Sequence, residues 1–315
     1  MNLVVGATGL LGSEICRQLA EKGKSVRALV RPTANKQKVE ELRSLGIKLL
    51  PGDLRDLASL RTACRHAKSV ISTASAAMSR QAGDTIKTVD LEGQLNLIHA
   101  AQDAEVQHFV YVSLSGNSNI DCQLLNAKRL IEIRLIESGL TYTILRTAPF
   151  MEVWLSPALG FDVENGRAQI FGSGQKKISY VSHRDVARFA VESLDNPDAR
   201  NQTIELGGPQ ALSPLEVVRE FEHLGRRKFE VEHVPESALV LQKSSSRDPS
   251  QESMVAMMLQ AAHGDSIRME NTIRRFSIPL TSVKDFAKQR LQRASGVDTL
   301  GSEVGSITST NAERR

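Results

Sequence analysis

Apolar positions in the first half of the chain follow two alternating periods. Leu3-Val4-Val5 and the short runs at 25–30, 47–50, 69–73, 109–113 and 140–145 are apolar, bounded by polar residues, and read as buried strands. Between them, helix-period stretches cover 10–22, 36–45 and about 122–138. These three stretches end at Gly23, Gly46 and Gly139, the residue type that reverses the chain cheaply in a left-handed cap. Asp56 predicts the cap of a short helix reaching Arg65. Strands alternating with helices of this length require right-handed crossovers, and hence a parallel sheet covered on both faces. The fold class expected is α/β, a doubly wound parallel sheet of the Rossmann type, with a smaller C-terminal α/β lobe.

The second half is less regular. Residues 151–174 contain apolar side chains, Pro157 and several glycines without a clean period. Residues 178–181 and 203–206 predict short strands, and 228–234 a half-exposed one. Ser182 with Asp185, Ser213 with Pro214 and Glu216, and Thr281-Ser282 with Asp285 are helix starts. A Met-rich helix is expected over 253–262, where Met254, Met257 and Met258 read as core. The expected organisation is a nucleotide-binding domain of residues 1–155 with 178–206, and a substrate-side lobe of 156–177 with 207–293. The Ser-, Thr- and Gly-rich tail, 294–315, is expected to be disordered.

Composition narrows the class. The chain of 315 residues is 41% hydrophobic and 24% charged, as in ordinary globular proteins. A formal charge of +4, with no basic run interleaved with aromatics, argues against nucleic acid. No apolar run approaches the roughly 18 residues of a membrane helix. The first strand is expected to begin at once, and a signal peptide is therefore not expected. Cys16, Cys64 and Cys122 form no metal or disulfide pattern, so a reducing cytoplasm is expected.

The candidate chemistry begins at Gly6-Ala7-Thr8-Gly9-Leu10-Leu11-Gly12, between a strand and a helix. Gly6 permits the tight turn, Gly9 leaves room for a pyrophosphate, and Gly12 lets helix and strand pack closely. The helix start offers unpaired N–H groups and a positive dipole end to the phosphates, with Thr8, Leu10 and Leu11 lining the approach. An acid usually meets the adenosine ribose about 20 residues later. Here Arg31 stands at that place and no acid appears before Glu40. Arg31, assisted by Thr33 and Lys36, suits a 2′-phosphate and predicts NADP(H) over NAD(H). Asp53 is expected to accept from the adenine amino group or simply to serve a turn, with Leu54 against the ring. Ser72, Thr73 and Ala74 end the fourth strand beside the expected switch point.

Taken with Tyr111-Val112-Ser113, Ala127-Lys128, residues 138–146 and the segment from Tyr180 to Ala187, these motifs resemble the NmrA-like family over roughly residues 1–290. These are atypical members of the short-chain dehydrogenase/reductase superfamily. The resemblance implies one of three roles: an NADPH-dependent reductase of a small quinone, carbonyl or conjugated substrate, a redox sensor that binds NAD(P) without catalysis, or an assembly factor. A small-molecule substrate is the partner of the first role and a protein that of the others. The superfamily's Tyr-x-x-x-Lys site is incomplete, because Leu124 stands where the tyrosine belongs. Lys128 remains as the catalytic candidate, with Ser113 or Ser115 as the upstream serine. Isoflavone-type reductases of the family also lack that tyrosine and rely on the lysine. Arg146, Tyr180 and Trp154 are candidate ligand contacts, and His183 is expected on a helix surface.

Overall fold

A computed structural model describes residues 1–79 and 81–294, so the disordered tail expected from the sequence lies almost wholly outside them. The strand–helix alternation forms in order: β1 (Asn2–Val5), α1 (Leu10–Glu21), β2 (Val26–Val30), α2 (Lys36–Ser44), β3 (Lys48–Pro51), α3 (Leu57–Cys64) and β4 (Ser69–Ser72). A π-helical segment, Ile86–Gly93, runs into α4 (Gln94–Asp103), followed by β5 (His108–Leu114), α5 (Gln123–Glu137), β6 (Tyr142–Thr147) and α6 (Met151–Trp154). Next come β7 (Phe161–Asp162), β8 (Arg167–Phe171), α7 (His183–Ser193), β9 (Gln202–Leu206), α8 (Pro214–Gly225) and β10 (Glu230–Val234). The chain continues through α9 (Glu236–Ser245), α10 (Pro249–His263), α11 (Glu270–Phe276) and α12 (Val283–Ala294).

Seven strands make one sheet in the order β3-β2-β1-β4-β5-β6-β9, and every pairing is parallel. The doubly wound Rossmann-type fold is therefore present. Strand alternation divides its side chains between two cores. Val4, Val110 and Val112 pack with α1 and α7, while Leu3, Val5, Phe109 and Tyr111 pack with α3, α4 and α5. Burial on both faces is why these strands are mainly apolar.

A second sheet, β10-β8-β7, lies over a third core of Met151, Phe161, Ile170, Phe221 and Phe286. Phe161 and Phe221 meet edge to face at 4.9 Å. Met269, Phe276 and Ile278 return from the C-terminal part to the core under α1 and α7.

Three local differences from the sequence reading have physical causes. Residues 178–181 make single bridges instead of a strand: Ile178 pairs with Leu212 and Asp265, and Val181 with Phe150. The chain there crosses between sheets and meets a new neighbour at each step. The Ile86–Gly93 segment and α4 carry no clear helical period, because Asp90 and Gln94, both fully buried, interrupt the apolar face. Strand β7 has only two residues, and β8 ends on two consecutive buried positions that break its alternation, so neither sets a period.

Candidate functional site

The sheet reverses its winding between β1 and β4, and open α/β sheets bind ligands at the carboxyl ends of the strands flanking such a point. The glycine turn stands there. Gly6 has φ +85°, and a Cβ on it would come within 2.7 Å of Thr73 Oγ1 and 2.8 Å of the Ala74 nitrogen. A Cβ on Gly12 would lie 2.1 Å from the Gly6 carbonyl oxygen, so α1 rests directly on the turn. Gly9 differs from both: its Cβ would meet only that same oxygen, at 3.3 Å, with open space otherwise. Gly9 caps α1 without a side-chain hydrogen bond, and no acidic residue occupies the first turn. The N–H groups of Leu10, Leu11 and Gly12 have no partner among the described residues. An open cradle of unpaired donors at a helix start fits a diphosphate. Leu10 is exposed at its rim, whereas Leu11 points into the core below; Thr8 is half-buried.

The adenosine side of the switch point is densely paired. Arg31 Nη1 donates to both oxygens of Asp84, at 2.8 and 2.7 Å. Thr33 donates to Gln81 at 2.7 Å, and Lys36 is exposed at the start of α2. Asp53 is engaged by Arg55, whose Nε and Nη2 lie 2.9 and 2.6 Å away. That pairing holds the Asp53 carboxyl below the usual range despite its partial burial. Leu54 is buried in the core beside Gly93 instead of lying open to a ring. Ser72 is buried and donates to Gln94 at 2.8 Å. Thr73 Oγ1 donates to the Val5 carbonyl at 3.2 Å and so fastens β4 to the glycine turn.

Lys128 and Ser113 belong to two separate polar centres. Lys128 is buried; its Nζ lies 3.6 Å from Asp90 Oδ1, donates to the Val112 carbonyl at 3.3 Å, and stands 5.1 Å from the Tyr111 ring centroid. Asp90 Oδ2 accepts from the Ala76 nitrogen at 2.8 Å. The Tyr111 hydroxyl is buried without a hydrogen-bond partner among the described residues. Leu124, one turn before Lys128, sits in an apolar cluster with Ile86 and Leu125. Ser113 instead donates to Glu132, which also takes Arg129 and Arg146; Arg146 reaches on to Glu205 at 3.4 Å. Arg146 is thus committed to ion pairs.

Beyond the ends of β5 and β6 lies a mainly apolar cavity of about 140 Å³, bounded by Leu114, Phe150, Val153, Trp154 and Met257. Neither Lys128 nor Ser113 lines it; Ser115 and Asp265 do. Asp265 is 4% exposed and accepts from Ser115 Oγ at 2.7 Å and Asn117 Nδ2 at 2.9 Å. Burial pushes its carboxyl up, and the two neutral donors offset this only in part. Asp265 carries no sequence signal beyond following Gly264, which ends α10 at φ +93°. His183 is buried, not exposed as expected, with Nδ1 3.0 Å from Glu152. Tyr180 is buried in the third core. Among the described residues no cluster suits a metal ion, and no helix is long and apolar enough to cross a membrane.

A doubly wound sheet with an uncapped glycine turn at its switch point defines a Rossmann-fold protein of the nucleotide-binding class. More narrowly, the chain belongs to the NmrA-like family, whose model matches residues 2–286. It is 32% identical over 234 residues to the photosystem II assembly factor Ycf39 of Trieres chinensis, covering 74% of this chain and 72% of that one. It is also 31% identical over 220 residues to an NAD(P)H azoreductase of Xenophilus azovorans, covering 69% and 71%. An NADPH-dependent quinone oxidoreductase of Escherichia coli, solved with NADPH, superposes with a TM-score of 0.74 at 22% identity, over 92% of this chain and 99% of that one. The fold is that of the NAD(P)-binding reductases.

Proposed function

We propose that this chain is an NADPH-dependent reductase of a small quinone, carbonyl or conjugated substrate. The observation that carries this reading is the apolar cavity of about 140 Å³ at the ends of β5 and β6, on the ligand-binding edge of the sheet. A dry cavity of about 150 Å³ accepts one benzene ring, so a ring-sized substrate suits it. In this proposal Gly6, Thr8, Gly9, Leu10, Leu11 and Gly12 hold the diphosphate. Arg31, with Thr33 and Lys36, faces the 2′-phosphate. Asp53, Thr73 and Ala74 shape the walls between, with Leu54 and Ser72 packed behind them. When bound, the reduced nicotinamide supplies a hydride. Lys128 is the proton carrier; since it does not line the cavity, its Nζ acts through a water. Ser113, held by Glu132, steadies the end of β5. Three unpaired, buried cysteines support a cytoplasmic setting.

The alternative is a non-catalytic redox sensor or an assembly factor. Two observations favour it: Lys128 and Ser113 are both engaged by buried carboxylates, and relatives of comparable identity include photosystem II assembly factors. The two readings separate in one experiment. Purified protein is given NADPH and a panel of quinones, enones and aldehydes, and the reduced-nicotinamide absorbance is followed. Consumption with at least one of them is expected. No turnover, together with an oligomeric state or partner binding that differs between NADP+ and NADPH, would replace the reductase with the sensor.

A further inference from the structure

The corner that would receive the adenosine ribose already contains an anion. The Asp84 side chain is 2% exposed, while that of Arg31 beside it is 30% exposed. Arg31 Nη1 reaches both Asp84 oxygens, Ser79 donates to Oδ2, and Arg55 Nη1 stands 3.8 Å from Oδ1. The Thr33–Gln81 hydrogen bond is a second tie between the same two segments. Two guanidinium groups and a hydroxyl around one acceptor are the donor set that a phosphate monoester needs. A carboxylate fills it here, from a residue 53 positions away from Arg31 along the chain. Asp53, also on Arg55, adds a second negative group nearby.

We propose that Asp84 is the residue that sets cofactor selectivity: its carboxylate holds Arg31 and opposes a 2′-phosphate, so the preference for NADPH over NADH is much smaller than Arg31 alone would give. This rests on the dinucleotide reading of the site. A carboxylate and a phosphate that compete for one guanidinium also repel each other, and in a partly enclosed corner that repulsion is little screened. A ribose 2′-hydroxyl has no such conflict, because it can donate to the carboxylate. The acid missing from the end of β2 is thus supplied from the segment that follows β4.

The test is equilibrium titration of the full chain with NADPH and NADH, read by nicotinamide fluorescence. Wild-type dissociation constants are expected within about tenfold of each other. Asp84→Asn keeps the shape and removes the charge; it should tighten NADPH about tenfold or more and change NADH less than about threefold. Arg31→Ala combined with Asp84→Asn should abolish that gain. An unchanged NADPH/NADH ratio in Asp84→Asn overturns the proposal, as does weaker NADPH binding, which would mean that Asp84 positions Arg31 for the phosphate. If Asp84→Asn fails to fold, Ser79→Ala leaves the carboxylate charged with one donor fewer and should move the ratio the opposite way, about twofold against NADPH; an unmoved ratio again overturns the proposal. Wild type that binds neither dinucleotide would defeat the nucleotide reading itself, whereas binding with an unmoved ratio defeats only the role of Asp84.

Discussion

The same substitution at two glycines three residues apart should weaken NADPH binding at both and stability at only one. In Gly12→Ala the new methyl would lie 2.1 Å from the Gly6 carbonyl oxygen, a backbone atom in a turn fixed by φ +85°. The contact at Gly9, 3.3 Å from that same oxygen, is already tight, so α1 must retreat by roughly an ångström. Overpacking of this kind costs about 1–3 kcal/mol, against a helix-propensity gain of about 0.5–1 kcal/mol. A 2.1 Å approach to backbone places the cost at the upper end, so the net loss is about 2–2.5 kcal/mol and lowers the melting temperature by roughly 4–10 °C. The retreat also displaces the unpaired N–H groups, so NADPH binding should fall at least about tenfold. Gly9→Ala adds a methyl whose single close neighbour is the Gly6 carbonyl oxygen at 3.3 Å, on a backbone at φ −82°, ψ 169°, an ordinary extended conformation. Its melting temperature should stay within about 2 °C of wild type while NADPH binding still falls about tenfold, because the methyl stands over the donors. Thermal melting and fluorescence titration of both variants decide the matter. A Gly12→Ala protein with wild-type stability and affinity would refute the packing argument, and a Gly9→Ala protein that unfolds or binds normally would refute the cradle.

Two further outcomes follow from buried charges. Lys128→Ala leaves the fully buried Asp90 without its cation and should destabilise the chain by about 3 kcal/mol in urea unfolding, with Asp90→Asn in the same chain restoring most of it; a single-variant loss below about 1 kcal/mol would show that the pair bears little charge. Catalytic tests of Lys128 therefore require the double variant as a control. The raised Asp265 pKa means that its stabilising contribution is fully present below the unfolded value, about 3.9, and is lost as pH rises through the folded value. Asp265→Asn should therefore match wild type near about pH 4 and melt higher above it; a melting difference that does not vary with pH would contradict this.

The sheet was legible because β1, β2, β4, β5 and β6 are buried on both faces and are therefore mainly apolar, with buried polar exceptions such as Arg27 and Ser72 held by hydrogen bonds. Gly6 and Gly12 were legible because a turn at φ +85° and a 2.1 Å approach both favour a residue without a Cβ. What stayed hidden is non-local or polar. Nothing near Arg31 announces Asp84, and nothing near Ser115 announces Asp265, 150 positions on. Asp90 and Gln94 concealed a helix by burying polar groups on its inner face. Leu124 is the instructive intermediate: the sequence shows the missing phenol, but only the structure shows that Ile86 and Leu125 close around that position.

Trp154 gives the cavity an optical property. It is the only tryptophan in the chain, it stands in the cavity wall, and it meets Phe171 edge-on at 6.2 Å. Red-edge ultraviolet excitation bypasses the three tyrosines, so all emission then originates from that wall. A molecule entering the cavity displaces or contacts the indole itself, and quenching or a spectral shift reports occupancy without a label. Ligands for the cavity can therefore be screened by the protein's own light.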